Sequence, residues 1–112
     1  MFKRYVLKNY QVIEVTPEEW AEWMTDNSPV IAETMVDDLQ VSTIFLGLDN
    51  RVFQFFGEPI LFETKVLDLS KTNEVLKMGI GVHPVVLTQT YTTWENARLG
   101  HSEIVRQFQS TS

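Results

Sequence analysis

Two alternating runs, Val30 to Val36 and Leu39 to Leu46, are separated by Asp37-Asp38 alone. Two residues between strands make the tightest β-hairpin connection, although Asn-Gly or Asp-Gly would suit its backbone better. If Val36 faces Leu39, then Thr34 faces Val41, Ala32 faces Thr43 and Val30 faces Phe45. All eight share one face, because side chains alternate along a strand. The other face pairs Met35 with Gln40, Glu33 with Ser42 and Ile31 with Ile44. The first set reads as core, and the second mixes polar groups with aliphatic ones. A slip of one residue would scramble this sorting, so the sorting itself supports the register.

The remaining chain is arranged around that hairpin. The stretch Val41 to Asp49 reads as a central strand and Ile60 to Leu67 as its partner. In the partner, Phe62, Thr64 and Val66 share one face, and Leu61, Glu63, Lys65 and Leu67 share the other. A loop carrying Phe53, Phe55 and Phe56 joins the two. Val85 to Tyr91 is rich in β-branched residues and reads as the last strand. Between them, Asp68 to His83 is a long connection in which Glu74-Val75-Leu76-Lys77 predicts a helical turn ended by Gly79 and Gly81. At the start, Tyr5-Val6-Leu7 and Gln11 to Val15 form a strand pair or one bent strand, broken at Lys8-Asn9-Tyr10.

Two helices are marked by their caps. Thr16-Pro17-Glu18-Glu19 supplies a capping hydroxyl, a proline at the first helical position and a glutamate three residues after the cap. Trp20, Trp23 and Met24 then fall on one helical face, and Asp26-Asn27-Ser28-Pro29 stops the helix. The last helix opens at Thr92 or Thr93, with Glu95 three residues after Thr92. Its apolar stripe is Trp94, Ala97, His101, Ile104, Val105 and Phe108, interrupted by His101 itself and flanked by Gly100. A mid-helix glycine costs about 1 kcal/mol against alanine, so close approach to the sheet is the reason to expect for it. The class is therefore α+β: an antiparallel sheet of four to five strands with two helices packed on one face, in the order β-α-β-β-β-β-α.

Composition bounds the rest. The 112 residues make a single domain, 1–112, and the 44% of apolar residues can fill one core. No apolar run approaches a membrane span, and Met1-Phe2-Lys3-Arg4-Tyr5 lacks the apolar segment of a signal peptide, so a cytoplasmic chain is expected. There is no cysteine, hence neither disulfide framework nor thiolate metal site. A net charge of −6 argues against nucleic acid as a partner.

Three stretches resemble a group of small proteins carried by phages, prophages and other mobile elements. They are Val-Ser-Thr-Ile-Phe-Leu-Gly-Leu-Asp at Val41 to Asp49, Leu-Phe-Glu-Thr at Leu61 to Thr64, and Tyr91 to His101 with its Tyr-x-Thr-Trp-Glu-x-Ala-x-x-Gly-His pattern. The resemblance implies a mobile-element setting, such as a phage gene or an integron-type accessory cassette. It implies no catalytic role. The chain departs from the group in a longer loop after Asp49, with Asn50 where relatives often carry histidine, and in an expanded segment between Val66 and Tyr91.

Candidate site residues follow from polar groups in apolar company. Glu33 and Glu63, with Ser42 beside Glu33, would share the mixed face, and two carboxylates there can act as acid and base. His101 is either a general base or a core-edge histidine held by a backbone carbonyl. Asp49, Phe53 and Phe56 complete the binding candidates. Ligand spacing for a metal is lacking, and Gly79-Ile80-Gly81 is too short for a phosphate loop, so neither metal nor cofactor is expected. Three function classes are consistent with this. The favoured one is a binding module, a homodimer that engages a host protein or a small molecule. The others are a hydrolase-like enzyme using Glu33, Glu63 and His101, and an acidic inhibitor that mimics nucleic acid. For the dimer, Ile31, Met35, Ile44, Leu46 and Leu61 are the expected interface, since two helices cover only one sheet face.

Overall fold

A computed structural model describes residues 3–49, 57–71, 73–75 and 80–110, with backbone alone for 73–75 and 80–82. The chain is α+β and antiparallel. Strands β1 (Arg4–Lys8) and β2 (Gln11–Val15) form a hairpin that leads into helix α1 (Pro17–Asp26). Strands β3 (Val30–Val36), β4 (Leu39–Phe45) and β5 (Phe62–Asp68) follow, then the short pair β6 (Asn73–Val75) and β7 (Ile80–Val82). Strand β8 (Val85–Tyr91) and helix α2 (Trp94–Ser110) end the order. The main sheet runs β3-β4-β5-β8, and α2 packs across all four strands. Of the helical turn expected at Glu74-Val75-Leu76-Lys77, Glu74 and Val75 instead belong to strand β6, which finds its backbone partners on β7, and Leu76 and Lys77 lie outside the described residues.

Both caps form, the second at the later of its two expected positions. The Thr16 hydroxyl accepts from the Glu19 backbone N–H while the Glu19 carboxylate reaches back to Thr16, closing the capping box on α1. On α2 the cap is Thr93, whose hydroxyl accepts from the Asn96 backbone N–H at 3.1 Å. Glu95 therefore lies in the first turn, where a carboxylate suits the helix dipole, and is not the reciprocal arm of a box.

The β3–β4 register is the expected one from Val36↔Leu39 to Ala32↔Thr43. It then shifts, because Val30 pairs with Ile44 and Ile31 is left as an extra residue. Such a bulge turns the strand ends over. Val30 joins the outer face, while Ile31 packs against the cluster built on Phe45, Phe62 and Leu61. The bulge lies at a sheet edge, where it also discourages unwanted strand pairing.

Inside, the core is layered. One apolar cluster holds Phe45, Leu61, Phe62, Tyr91 and Ala97, and another holds Val36, Val41, Val66 and Ile104. Thr43, Thr64 and His101 separate them, each between a residue of one cluster and a residue of the other along its own element. Gly100 is where close approach was expected. A Cβ there would collide with the Tyr91 ring.

Helix α1 sits differently from the expected packing of its tryptophans on the sheet. None of its residues is fully buried, and it rests on β1. It touches the sheet core through Trp23, edge-on to Phe45 with ring centroids 5.5 Å apart. Gly47 allows this. Its φ of +75° turns the chain after β4, and Met24 and Trp20 press where a side chain would stand. The Tyr5 N–H donates to the Gly47 carbonyl at 2.8 Å, tying the first hairpin to the end of the sheet.

Candidate functional site

The sequence-derived carboxylates and histidine are divided by the sheet. Glu33 and Glu63 lie on the outer face with Ser42, whereas His101 lies on the inner face beneath α2. They cannot meet as one acid–base set. Glu33 accepts from the Gln40 side-chain amide at 2.9 Å, and Glu63 lies 3.5 Å from Lys65 Nζ. Asp49 is half-buried just past the bridge that joins Arg4 to Leu48. Phe53, Phe55 and Phe56 fall outside the described residues, as does Asn50.

His101 is buried at 5% exposure and bonded at both ring nitrogens, by threonine hydroxyls and not by a backbone carbonyl. Nε2 is 2.9 Å from Thr34 Oγ1, and Nδ1 is 2.7 Å from Thr43 Oγ1. Thr43 Oγ1 is in turn 2.5 Å from Thr64 Oγ1. A neutral imidazole has one donor and one acceptor, and each hydroxyl has one proton to give. Two proton orders satisfy this chain, one running from Thr34 toward Thr64 and the other in reverse. Either leaves the ring no spare nitrogen for a substrate. Burial lowers the His101 pKa, and the nearby Arg98 charge lowers it further, so the ring is held neutral. The neighbouring Tyr91 phenol is buried without a hydrogen bond of good geometry. Burial pushes its pKa up, and the adjacent Thr64 hydroxyl pulls it partly back.

Two expected interface residues are also relocated. Leu61 is 1% exposed within the inner cluster, because the chain before β5 is covered by Trp94 and the first hairpin. Ile31 is turned inward by the bulge. Met35 stays on the outer face and is half exposed, and Ile44 and Leu46 alternate with the buried Phe45.

The feature that sequence reasoning missed is at the tip of the first hairpin. Lys8 and Gln11 are paired across Asn9-Tyr10, and both turn residues are left-handed, with φ of 51° and 65°. Such a turn matches strand twist and favours Asn-Gly. Tyrosine in the glycine place is strained, at about 1–2 kcal/mol for a residue with a Cβ. The strained Tyr10 is 69% exposed, yet its ring stacks on Trp94 with centroids 4.3 Å apart. Beside this pair opens a cleft of about 440 Å³, walled by Val12, Pro59 and Leu61 and rimmed by Glu58 and Glu95. Thr92 and Thr93, at the entry to α2, complete it. A second cleft, on the side of Val30 and Ile31, contains Arg98, whose guanidinium lies 5.5 Å from the Trp94 ring centre. The signal available in the sequence was the two-residue gap Asn9-Tyr10 between two apolar-containing runs.

Among the described residues no group of histidines and acids is arranged to hold a metal ion, and no helix is long and apolar enough to cross a membrane. No protein-family model, curated protein or solved structure matches the chain.

Proposed function

We propose that the chain is a binding module, and that its site is the cleft beside Tyr10 and Trp94. The observation that carries this reading is Tyr10 itself. A large aromatic residue is held in a strained, left-handed turn while most of its surface stays exposed over an apolar cavity. Backbone strain of this kind is kept where position matters more than stability. The cleft has the size of a small-molecule site, with apolar walls and a few polar groups at the rim. A small molecule is therefore the favoured partner over a host protein.

The other classes have less behind them. An enzyme built on Glu33, Glu63 and His101 would need groups from both sides of the sheet. A nucleic-acid mimic would need an unbroken acidic strip, and Lys65 interrupts the outer face beside Glu63. The phage-type motifs support a mobile-element setting for the module. Self-association through the outer face remains part of the proposal, now centred on Met35, Val30 and Ile44.

The test is a fragment screen read by the Trp94 indole signal in NMR, on wild type and Tyr10→Gly. Glycine relieves the left-handed strain but loses a ring stack worth about 0.5–1.5 kcal/mol, so stability should change little. Fragments should shift Trp94 in the wild type and lose most of that effect in the variant. Fragments that bind both equally would remove the cleft from consideration.

A further inference from the structure

The charge and chemistry of the cleft narrow what it takes. We infer that it binds a small organic cation, an ammonium or guanidinium carried on an apolar stem. This rests on the cleft being a binding site at all.

Four observations carry it. Among the described residues, the charged side chains lining the cleft are Glu58 and Glu95, both exposed, and no lysine, arginine or histidine lines it. Its walls include the Tyr10 and Trp94 rings, whose faces attract cations through their quadrupoles. The protein already uses Trp94 in this way, because Arg98 lies over the same ring from the second cleft. Finally, Val12, Pro59 and Leu61 give the cleft an apolar floor that suits an alkyl stem and leaves the charge at the rim.

Two features oppose a cation, the positive end of the α2 dipole and the Arg98 charge on the same Trp94 ring. Arg98 lines the second cleft and not this one, and the dipole is blunted. Thr93 already accepts from the Asn96 and Ala97 N–H groups through its hydroxyl and its carbonyl, and Glu95 adds a full negative charge in the same turn. An anionic ligand would have to displace neither group yet sit against two carboxylates. The chain's net charge of −6 adds a long-range attraction for cations.

The second cleft serves as an internal control. It shares Tyr10 and Trp94 but carries Arg98 in place of the two acids. Cation preference should therefore depend on Glu58 and Glu95, and not on the aromatic pair alone.

The experiment titrates the protein with butylammonium, with 1-pentanol as a neutral match and with pentanoate as an anion, following the Trp94 indole signal. A parallel arm uses Nα-acetyl-lysine methylamide, which separates a free amine from a lysine side chain presented by a partner. Butylammonium is expected to bind at least tenfold more tightly than pentanol, with pentanoate weakest. Glu58→Gln and Glu95→Gln should each weaken it by about two- to fivefold, the range for exposed ion pairs, without weakening pentanol. Both positions are exposed, so these variants should fold as wild type does. Equal binding of the amine and the alcohol would overturn the cation inference and leave the cleft intact as a site. Tighter binding of pentanoate would overturn it in favour of the helix terminus. If no probe moves Trp94 at any concentration, both this inference and the binding-module reading of the cleft fail together.

Discussion

Each face of the main sheet departs from the usual sorting of residue types at a few positions. Under α2, the inner face carries Thr34, Thr43 and Thr64 around His101, and Thr43 and Thr64 are wholly buried. The outer face carries Val30, Met35 and Val85, each about half exposed, among Glu33, Glu63 and Lys65. The difference shows that a buried position is defined by whether its polar atoms find partners, not by side-chain hydropathy. On the inner face three hydroxyls and one imidazole satisfy one another. That requirement is geometric, and a one-residue slip of any strand would strand several groups at once. The polar layer thus enforces the register that the flanking apolar layers stabilise.

The largest effect expected from breaking this contrast is His101→Ala. It leaves Thr34 without its partner, shortens the chain at Thr43 and opens a cavity, so it should cost about 2–4 kcal/mol. Chemical denaturation is the measurement. Ser42→Ala, one residue from Thr43 but on the outer face, should stay within about 0.5 kcal/mol. Similar losses for both would mean that the faces are not energetically distinct.

Gly100→Ala should come next. Alanine brings about 1 kcal/mol of helix propensity, but its methyl would overlap the buried Tyr91 ring, and overpacking typically costs ~1–3 kcal/mol. A net loss of stability is expected, and Tyr91→Leu in the same chain should restore part of it. A more stable single variant would show that α2 and β8 are free to separate.

Acid should weaken the inner face selectively. Above the ordinary histidine pKa of about 6.5, His101 is neutral in both folded and unfolded chains and contributes no pH dependence. Below it the unfolded chain takes up a proton that the buried ring resists, because the folded pKa is lowered. The unfolded state then binds more protons, so stability falls as pH falls. Denaturation midpoints between pH 7 and 5 should decline in the wild type, and His101→Gln should flatten that part of the decline.

Much of this arrangement was legible in the sequence. Glu33-Thr34, Ser42-Thr43 and Glu63-Thr64 repeat a pattern in which strand alternation alone sends threonine inward and its neighbour outward. The spacing Ala97, His101, Ile104 placed the histidine on the buried stripe. The partners of its ring nitrogens were not legible, since they come from β3 and β4, 67 and 58 residues away in sequence. Nor was the bulge at Ile31, because both faces at that end are aliphatic and alternation has nothing to sort. The cleft beside Trp94 joins the first hairpin, the chain before β5 and the start of α2, three segments that only the tertiary fold brings together.

The smallest expected change in stability belongs to the outer face, and it sharpens the comparison most. Met35 is half exposed and lies across from Gln40, so aspartate there meets water and no packed core. Met35→Asp should change the denaturation midpoint by no more than about 0.5 kcal/mol, as for surface substitutions generally. If the outer face is also where two copies meet, the same substitution would bury a charge at a two-fold contact, where unpaired charge is costly. Light scattering should then show the wild type associating as concentration rises and Met35→Asp remaining a monomer. Ile44→Asp should behave likewise but with some loss of stability, because Ile44 is partly covered already. A wild type that stays monomeric throughout would confine the outer face to solvent and leave the Tyr10 cleft as the chain's sole proposed contact.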